Sequence, residues 1–277
     1  AKSVAALSDV IILVTGLDET LEGEEGDTGN QYFSGDKKDL HLPASQEKLM
    51  SELLLMGKPV VLVNMSGSAV DLRLAQEKAS AVLQAWYPGS EGGRVVAEAL
   101  FGKVSPSGKL PVTFYNDTED LPDFDDYSME NRTYRYYQGT PLYPFGYGLT
   151  YGGCRVLGAV WKRQPDPAGD FAELDVAVRN YGAGTEDVLQ VYVKAEDSGW
   201  APPNPVLGAF RRVRLEQGEE RSFTVRVPMR AFTTVDGQGV RRIRGKGFSV
   251  YVGFSQPDKR SVELMGAEPV CIFVEMK

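Results

Sequence analysis

Asp9-Val10-Ile11-Ile12-Leu13-Val14-Thr15 runs without a break into Gly16-Leu17-Asp18-Glu19-Thr20-Leu21-Glu22-Gly23-Glu24-Glu25-Gly26-Asp27. The first seven residues are short, apolar, rich in β-branched side chains and bounded by turn formers, which reads as a buried strand. The acidic loop that follows therefore stands at the carboxyl end of a strand. In open α/β sheets that end is where ligands bind, so six carboxylates between Asp18 and Asp27 lie where chemistry is done. Acidic, glycine-containing runs are also the ordinary composition of a solvated loop. Two features favour a site: glycines interleave with the acids, and Asn30, Gln31, Tyr32, Phe33 and Ser34 follow. An aromatic pair beside hydrogen-bonding side chains suits a sugar, with a ring to stack on a pyranose and amides to grip hydroxyls.

Working outward, strand and helix patterns alternate. Pro43 opens a helix over Ala44–Met56, and Val60–Met65 is a continuously apolar strand of the kind buried on both faces. A polar turn and short helix over Ser66–Leu72, a strand over Ala81–Trp86, a helix over Arg94–Phe101 and a short strand over Gly108–Phe114 complete the series. Such alternation means helices packed on a mostly parallel sheet. Four strands make a narrow sheet, and Ala1–Ser8 reads as the last turns of a helix, so part of this domain is expected to lie in sequence outside these 277 residues. The glycine-rich turn Gly89–Gly93 has neither the Lys-Ser/Thr of a phosphate loop nor a dinucleotide spacing, and Glu91 would face the phosphate.

Periodicity stops between Tyr115 and Gly153, a segment dense in Tyr, Pro, Gly and acids, including Asn131-Arg132-Thr133-Tyr134-Arg135-Tyr136-Tyr137. A long aromatic stretch of this kind is expected to be ordered and functional rather than floppy, with packing between domains its commonest use. From Cys154 the pattern switches to period two with frequent turn signals, as in Leu174–Asn180, Val188–Val193, Arg221–Val227 and Phe248–Gly253. That is an antiparallel β-sandwich of roughly seven strands. The expected organisation is an α/β domain over 1–114, a connecting segment over 115–153 and a sandwich of fibronectin type III-like kind over 154–277.

Composition narrows the partners. A formal net charge of −8 argues against nucleic acid and against an anionic membrane surface. No apolar run approaches the roughly 20 residues that span a bilayer. Two cysteines and one histidine are too few for a Cys/His zinc site, and histidine-based nucleophilic catalysis would rest on His41 alone, which reads as structural. Cys154 and Cys271 are expected to be buried free thiols, a usage that favours the cytoplasm. No metal or cofactor is called for, and acid–base chemistry falls to carboxylates.

Several of these stretches, in this order, carry a resemblance: Gly16-Leu17-Asp18…Glu22-Gly23-Glu24-Glu25-Gly26-Asp27, Asp39-Leu40-His41-Leu42-Pro43, Gly57-Lys58-Pro59-Val60-Val61-Leu62-Val63-Asn64…Ser66-Gly67, Trp86-Tyr87-Pro88-Gly89…Gly92-Gly93, Pro106-Ser107-Gly108-Lys109-Leu110-Pro111-Val112-Thr113-Phe114 and Tyr143-Pro144-Phe145-Gly146-Tyr147-Gly148-Leu149. Together they resemble glycoside hydrolase family 3. Leu207–Val213 and Val235-Asp236 resemble the fibronectin type III-like module of many members. The resemblance implies a retaining, exo-acting β-glucosidase or β-xylosidase acting on oligosaccharides or on aryl and alkyl β-glycosides. It also implies an aspartate nucleophile on a (β/α)8 barrel that this sequence does not contain, supplied by the same protein or by a companion chain. The acid/base glutamate would lie in the opening loop: matching through Gly26-Asp27 favours Glu22, matching a Glu-x-Glu pattern favours Glu24, and Glu25 comes third. Tyr32 and Phe33 would line the outer sugar subsites, and Tyr134–Tyr137 are further candidates for which packing is favoured. The rival reading is a non-catalytic carbohydrate-binding or scaffold protein that keeps the fold, since function belongs to sites rather than folds.

Overall fold

The computed structural model describes residues 1–22 and 37–276. Their contacts divide them into two units, Ala1–Phe101 with Phe114–Leu121, and Gly102–Thr113 with Pro122–Lys277.

In the first unit α1 (Lys2–Ala6) leads to β1 (Ile11–Gly16), α2 (Ala44–Leu54), β2 (Val60–Met65), α3 (Arg73–Lys78), β3 (Ala81–Gln84) and α4 (Gly92–Leu100). The three strands pair in parallel in the order β1-β2-β3, with Ile11 opposite Val60 and Val61 opposite Ala81. The central strand is the most buried: Val60, Leu62, Val63 and Asn64 are at most 1% exposed. Along β1 burial alternates instead, with Ile11, Leu13 and Thr15 inside and Ile12 and Val14 exposed. The expected buried strand is thus buried on one face, where α2 lies with Met50, Leu53 and Leu54 buried.

Gly16 ends β1 where a side chain would collide with the neighbouring strand, since a Cβ there would stand 1.9 Å from the Met65 carbonyl oxygen. The Gln46 side chain of α2 fixes the same residue, accepting from the Gly16 N–H at 2.8 Å and donating to its carbonyl at 2.9 Å. The strand expected over Gly108–Phe114 does not form. Pro111 removes a ladder donor, and the stretch bonds elsewhere: the Leu110 N–H donates to the Tyr147 carbonyl, and the Gly146 N–H to the Leu110 carbonyl, both at 2.8 Å.

The second unit begins with a single helical turn, α5 (Thr133–Tyr136), and continues through β4 (Cys154–Arg163), β5 (Phe171–Asn180), β6 (Thr185–Ala195), β7 (Val206–Leu215), β8 (Glu220–Pro228), β9 (Thr234–Val235), β10 (Arg241–Arg242), β11 (Gly247–Gly253), α6 (Lys259–Met265) and β12 (Val270–Glu275). Two antiparallel sheets, β4-β5-β8 and β12-β11-β6-β7, form the sandwich, and β9 and β10 make a short ribbon. The seven long strands match the count expected from the period-two segments. Inward residues of β5 (Leu174, Val176, Val178) share a core with Leu189, Val191 and Val193 of β6 and Val250 of β11.

Burial continues on the outer face of β6, where Gln190 and Tyr192 are 2% and 0% exposed. The irregular aromatic segment covers it. Tyr134 stacks on Phe145 at 4.1 Å and meets Tyr192 edge-on, while Gln190 donates to the Gly146 carbonyl at 2.9 Å. Packing is therefore what Tyr134 does. Both cysteines are free, but only Cys154 is buried; Cys271 lies on the outward face of β12, contrary to the expectation of two buried thiols.

Candidate functional site

The loops that leave the carboxyl ends of β1, β2 and β3 meet on one side chain, Glu22. A tight turn presents it: Thr20 donates to the Asp18 carboxylate through its N–H at 2.9 Å and its hydroxyl at 2.6 Å, and the N–H groups of Leu21 and Glu22 donate to the Asp18 carbonyl. The Thr20 hydroxyl and N–H hold the Asp18 carboxyl below its ordinary value. From the β2 loop, the Ser68 hydroxyl donates to Glu22 Oε1 and the Gly67 N–H to Oε2 at 3.1 Å. From the β3 loop, the Tyr87 hydroxyl donates to Oε2 at 2.5 Å.

A buried polar ladder supports this knot. Asn64, the next-to-last residue of β2, donates to the Ser66 hydroxyl at 2.8 Å and to the Gln84 side-chain oxygen at 2.7 Å. The Ser66 hydroxyl donates to the Ser68 carbonyl at 2.8 Å, and Gln84 donates to the Ser66 carbonyl at 3.1 Å. Asn64 and Ser66 are both 0% exposed, so each missing partner would leave a desolvated polar group. The ladder sets the β2 loop, and the β2 loop sets Glu22.

Tyr87 follows Trp86, whose φ of 55° is costly for a bulky residue. The Trp86 ring is retained by an edge contact with the buried Phe114 at 6.2 Å. Partial burial of the Tyr87 hydroxyl, then its bond to Glu22 and that carboxylate's charge, push Tyr87 up to about 12, so it stays a proton donor at neutral pH. Lys37 extends the polar surface: its ammonium donates to the His41 carbonyl at 2.6 Å, and burial pushes it down against the pull of Asp39, Glu22 and Glu47. His41 bonds Glu47 through Nδ1 at 2.8 Å, with Asp71 at 3.9 Å. These contacts tie it to α2 and to the segment that leads into α3.

Of the residues singled out from sequence, Glu22 is therefore the centre of the knot, whereas Glu24, Glu25, Tyr32 and Phe33 lie outside the described residues. Sequence reasoning missed Ser68, Tyr87 and the ladder beneath them. A signal existed in Asn64, a polar residue closing an otherwise apolar strand just before Ser66-Gly67. Among the described residues no cluster of His, Cys, Asp and Glu could hold a metal ion. What the arrangement offers chemically is a carboxylate fixed by hydroxyl and amide donors at the ligand-binding edge of a parallel sheet.

Residues 1–151 match the glycosyl hydrolase family 3 C-terminal domain, and residues 187–256 match a fibronectin type III-like domain. A xylan 1,4-β-xylosidase of Xylanibacter ruminicola is 34% identical over 93% of this chain and 30% of its own length. A β-glucosidase of Bacteroides ovatus is 31% identical over 91% of this chain and 35% of its own. The structure of a β-glucosidase from Erythrobacter marinus superimposes with a TM-score of 0.80 at 29% identity, over 99% of this chain and 35% of that one. The chain thus spans about a third of the length of these relatives. With more than half of its residues matched by the family's own domain, this chain belongs to glycoside hydrolase family 3 and constitutes a C-terminal region of such a protein.

Proposed function

We propose that this chain is the acid/base-bearing region of a retaining, exo-acting β-glycosidase that releases terminal β-linked glucose or xylose. The observation that carries this reading is the convergence of the β2 and β3 strand-end loops on the acidic loop that follows β1, through Glu22. In a retaining mechanism one carboxylate attacks the anomeric carbon while a second, about 5 Å away, protonates the leaving oxygen and then activates water. An aspartate of a (β/α)8 barrel outside these residues would be the nucleophile, and the opening loop would supply the second group.

Between Glu22 and Glu24 the division of labour follows from partners. Both oxygens of Glu22 already accept bonds from Ser68, Gly67 and Tyr87, the work of an anchor. The proton donor then falls to Glu24, with Glu25 as the next candidate, and Tyr32 and Phe33 would line the sugar subsites.

The test is aryl-glycoside turnover by the full-length enzyme. Glu24→Gln is expected to lower it by about 10²- to 10⁴-fold, the ordinary worth of a positioned acid/base, with azide restoring turnover by attacking the glycosyl intermediate. Glu22→Gln is expected to lose activity without azide rescue. Losses below about tenfold from both substitutions would refute the assignment. Sugar binding without any hydrolysis by the full-length protein would favour the non-catalytic reading instead.

A further inference from the structure

On the second unit a recess of about 320 Å³ is walled by β6, by the Trp200–Leu207 stretch, by residues 230–235 and by α5. Four of its lining residues are cations, Arg135, Lys194, Arg230 and Arg241, and none is an aspartate or glutamate, in a chain whose net charge is −8. Nearby Arg244 pairs with Asp236, but none of the four cations has a carboxylate partner among the described residues. Four uncompensated cations in one concavity call for an anion. Trp200, 52% exposed, lines the same recess.

The recess is built, and not an accident of loose surface chains. Asn204 donates through its side chain to the carbonyls of Tyr134 and Tyr137, at 2.9 and 2.7 Å, and through its N–H to the Arg135 carbonyl at 3.2 Å. The Leu207 N–H donates to the Tyr134 hydroxyl at 3.1 Å. These bonds hold the turn that carries Arg135 even though Thr133, a β-branched residue, sits there at φ 55°. Strain of this kind persists where the surroundings over-determine it, and it clusters at binding sites. Arg241 is steadied by a bond from its guanidinium to the Thr233 hydroxyl at 3.1 Å. Gly237 lets the chain pass close to the Trp200 ring, since a Cβ there would stand 3.2 Å from it.

We propose that this recess binds a pyranose carrying a carboxylate, the uronic acid unit of an anionic glycan. The indole supplies a face for the sugar ring, and guanidinium forks take a carboxylate in two parallel hydrogen bonds. A volume of this size holds one sugar residue with its substituents. Every residue of the recess belongs to the second unit, and the proposal does not rest on the glycosidase reading.

Calorimetric titration of the protein with methyl β-D-glucuronide, methyl β-D-glucoside and inorganic sulfate tests it. The glucuronide is expected to bind at least about tenfold more tightly than the glucoside and more tightly than sulfate, with affinity falling as salt is raised. Arg230→Gln and Arg241→Gln are each expected to weaken the glucuronide by about tenfold without changing the unfolding midpoint, one lost charge-assisted bond apiece. Trp200→Ala should weaken the glucuronide but not sulfate, and Trp200→Phe should restore most of the loss. Equal affinity for glucoside and glucuronide, sulfate binding as tight as the glucuronide, or no binding at millimolar concentration would each overturn the proposal. None of these outcomes touches the acid/base assignment.

Discussion

Replacing Lys109 by Met is the sharpest test of how the second unit is held together. The Lys109 ammonium stands 2.8 Å from Asp187 at the start of β6, with the two side chains only 8% and 5% exposed. It also donates to the Gly148 carbonyl at 2.6 Å. Removing it leaves a buried carboxylate without its counter-charge, held among the described residues only by the Val188 N–H at 2.7 Å, which costs about 3–5 kcal/mol, and frees a carbonyl worth roughly 1 kcal/mol more. Burial already pushes the Asp187 carboxyl above its ordinary value despite Lys109. A carboxyl with a raised folded-state value binds its proton more tightly in the native protein, so its contribution favours folding at low pH and weakens as pH rises above its unfolded value near 3.8. Without Lys109 the upward push grows, and the variant's deficit should widen from about pH 4 to pH 7. Hydrogen exchange of the slowest β5 and β6 amides measures it, because those protons report opening of this unit. Asp187→Leu combined with Lys109→Met should recover most of the loss, since a buried pair is replaceable by apolar groups more easily than by half of itself. A deficit under about 1 kcal/mol, or one equal at both pH values, would refute the reasoning.

Gly16→Ala should destabilise the first unit by about 2 kcal/mol or more in thermal unfolding, because the new methyl meets the Met65 carbonyl and separates β1 from β2. Asn180, 0% exposed, accepts from the N–H groups of Gly153 and Gly182 and donates to the Ala183 carbonyl at 2.8 Å, so Asn180→Ala should cost roughly 2–3 kcal/mol in urea unfolding. His41 is held above its ordinary value chiefly by its bond to Glu47, so that bond stabilises the fold below the unfolded value near 6.5 and is lost as pH rises through the folded one. Glu47→Gln should therefore lower the midpoint under mildly acidic conditions and leave it unchanged in alkali, by less than about 1 kcal/mol for so exposed a pair.

The architecture was legible wherever burial alone decides conformation. Alternation in Leu174–Asn180 and the continuous apolar run Val60–Met65 each announce how many faces the core covers, and the strands form there. Gly108–Phe114 shows where such reading ends. Apolar residues around Pro111 have a strand's composition, but a buried Lys109 must find its carboxylate, and Asp187 lies on β6, nearly eighty positions along the chain. Pairing over that separation leaves no local trace. The same holds for the outer face of β6: Gln190 and Tyr192 occupy alternate positions that normally meet water, and only the arrival of Tyr134 and Phe145 makes them interior.

At the acidic loop the sequence contains six carboxylates within ten residues and no internal reason to rank them. Rank comes from donors on other loops. Ser68 and Tyr87 are ordinary hydroxyl residues in sequence, and their significance is that the parallel strands β1, β2 and β3 all end at the same edge of one sheet, which puts both hydroxyls on the same carboxylate. If Glu22 is the anchor this implies, then losing one donor should disturb the loop without removing the proton that the reaction needs. Tyr87→Phe should lower turnover of aryl glycosides with good and poor leaving groups by the same factor, because positioning is common to both. A selective loss on poor leaving groups is the signature of a missing acid, and finding it in Tyr87→Phe or Glu22→Gln would move the proton donor from Glu24 to the knot itself.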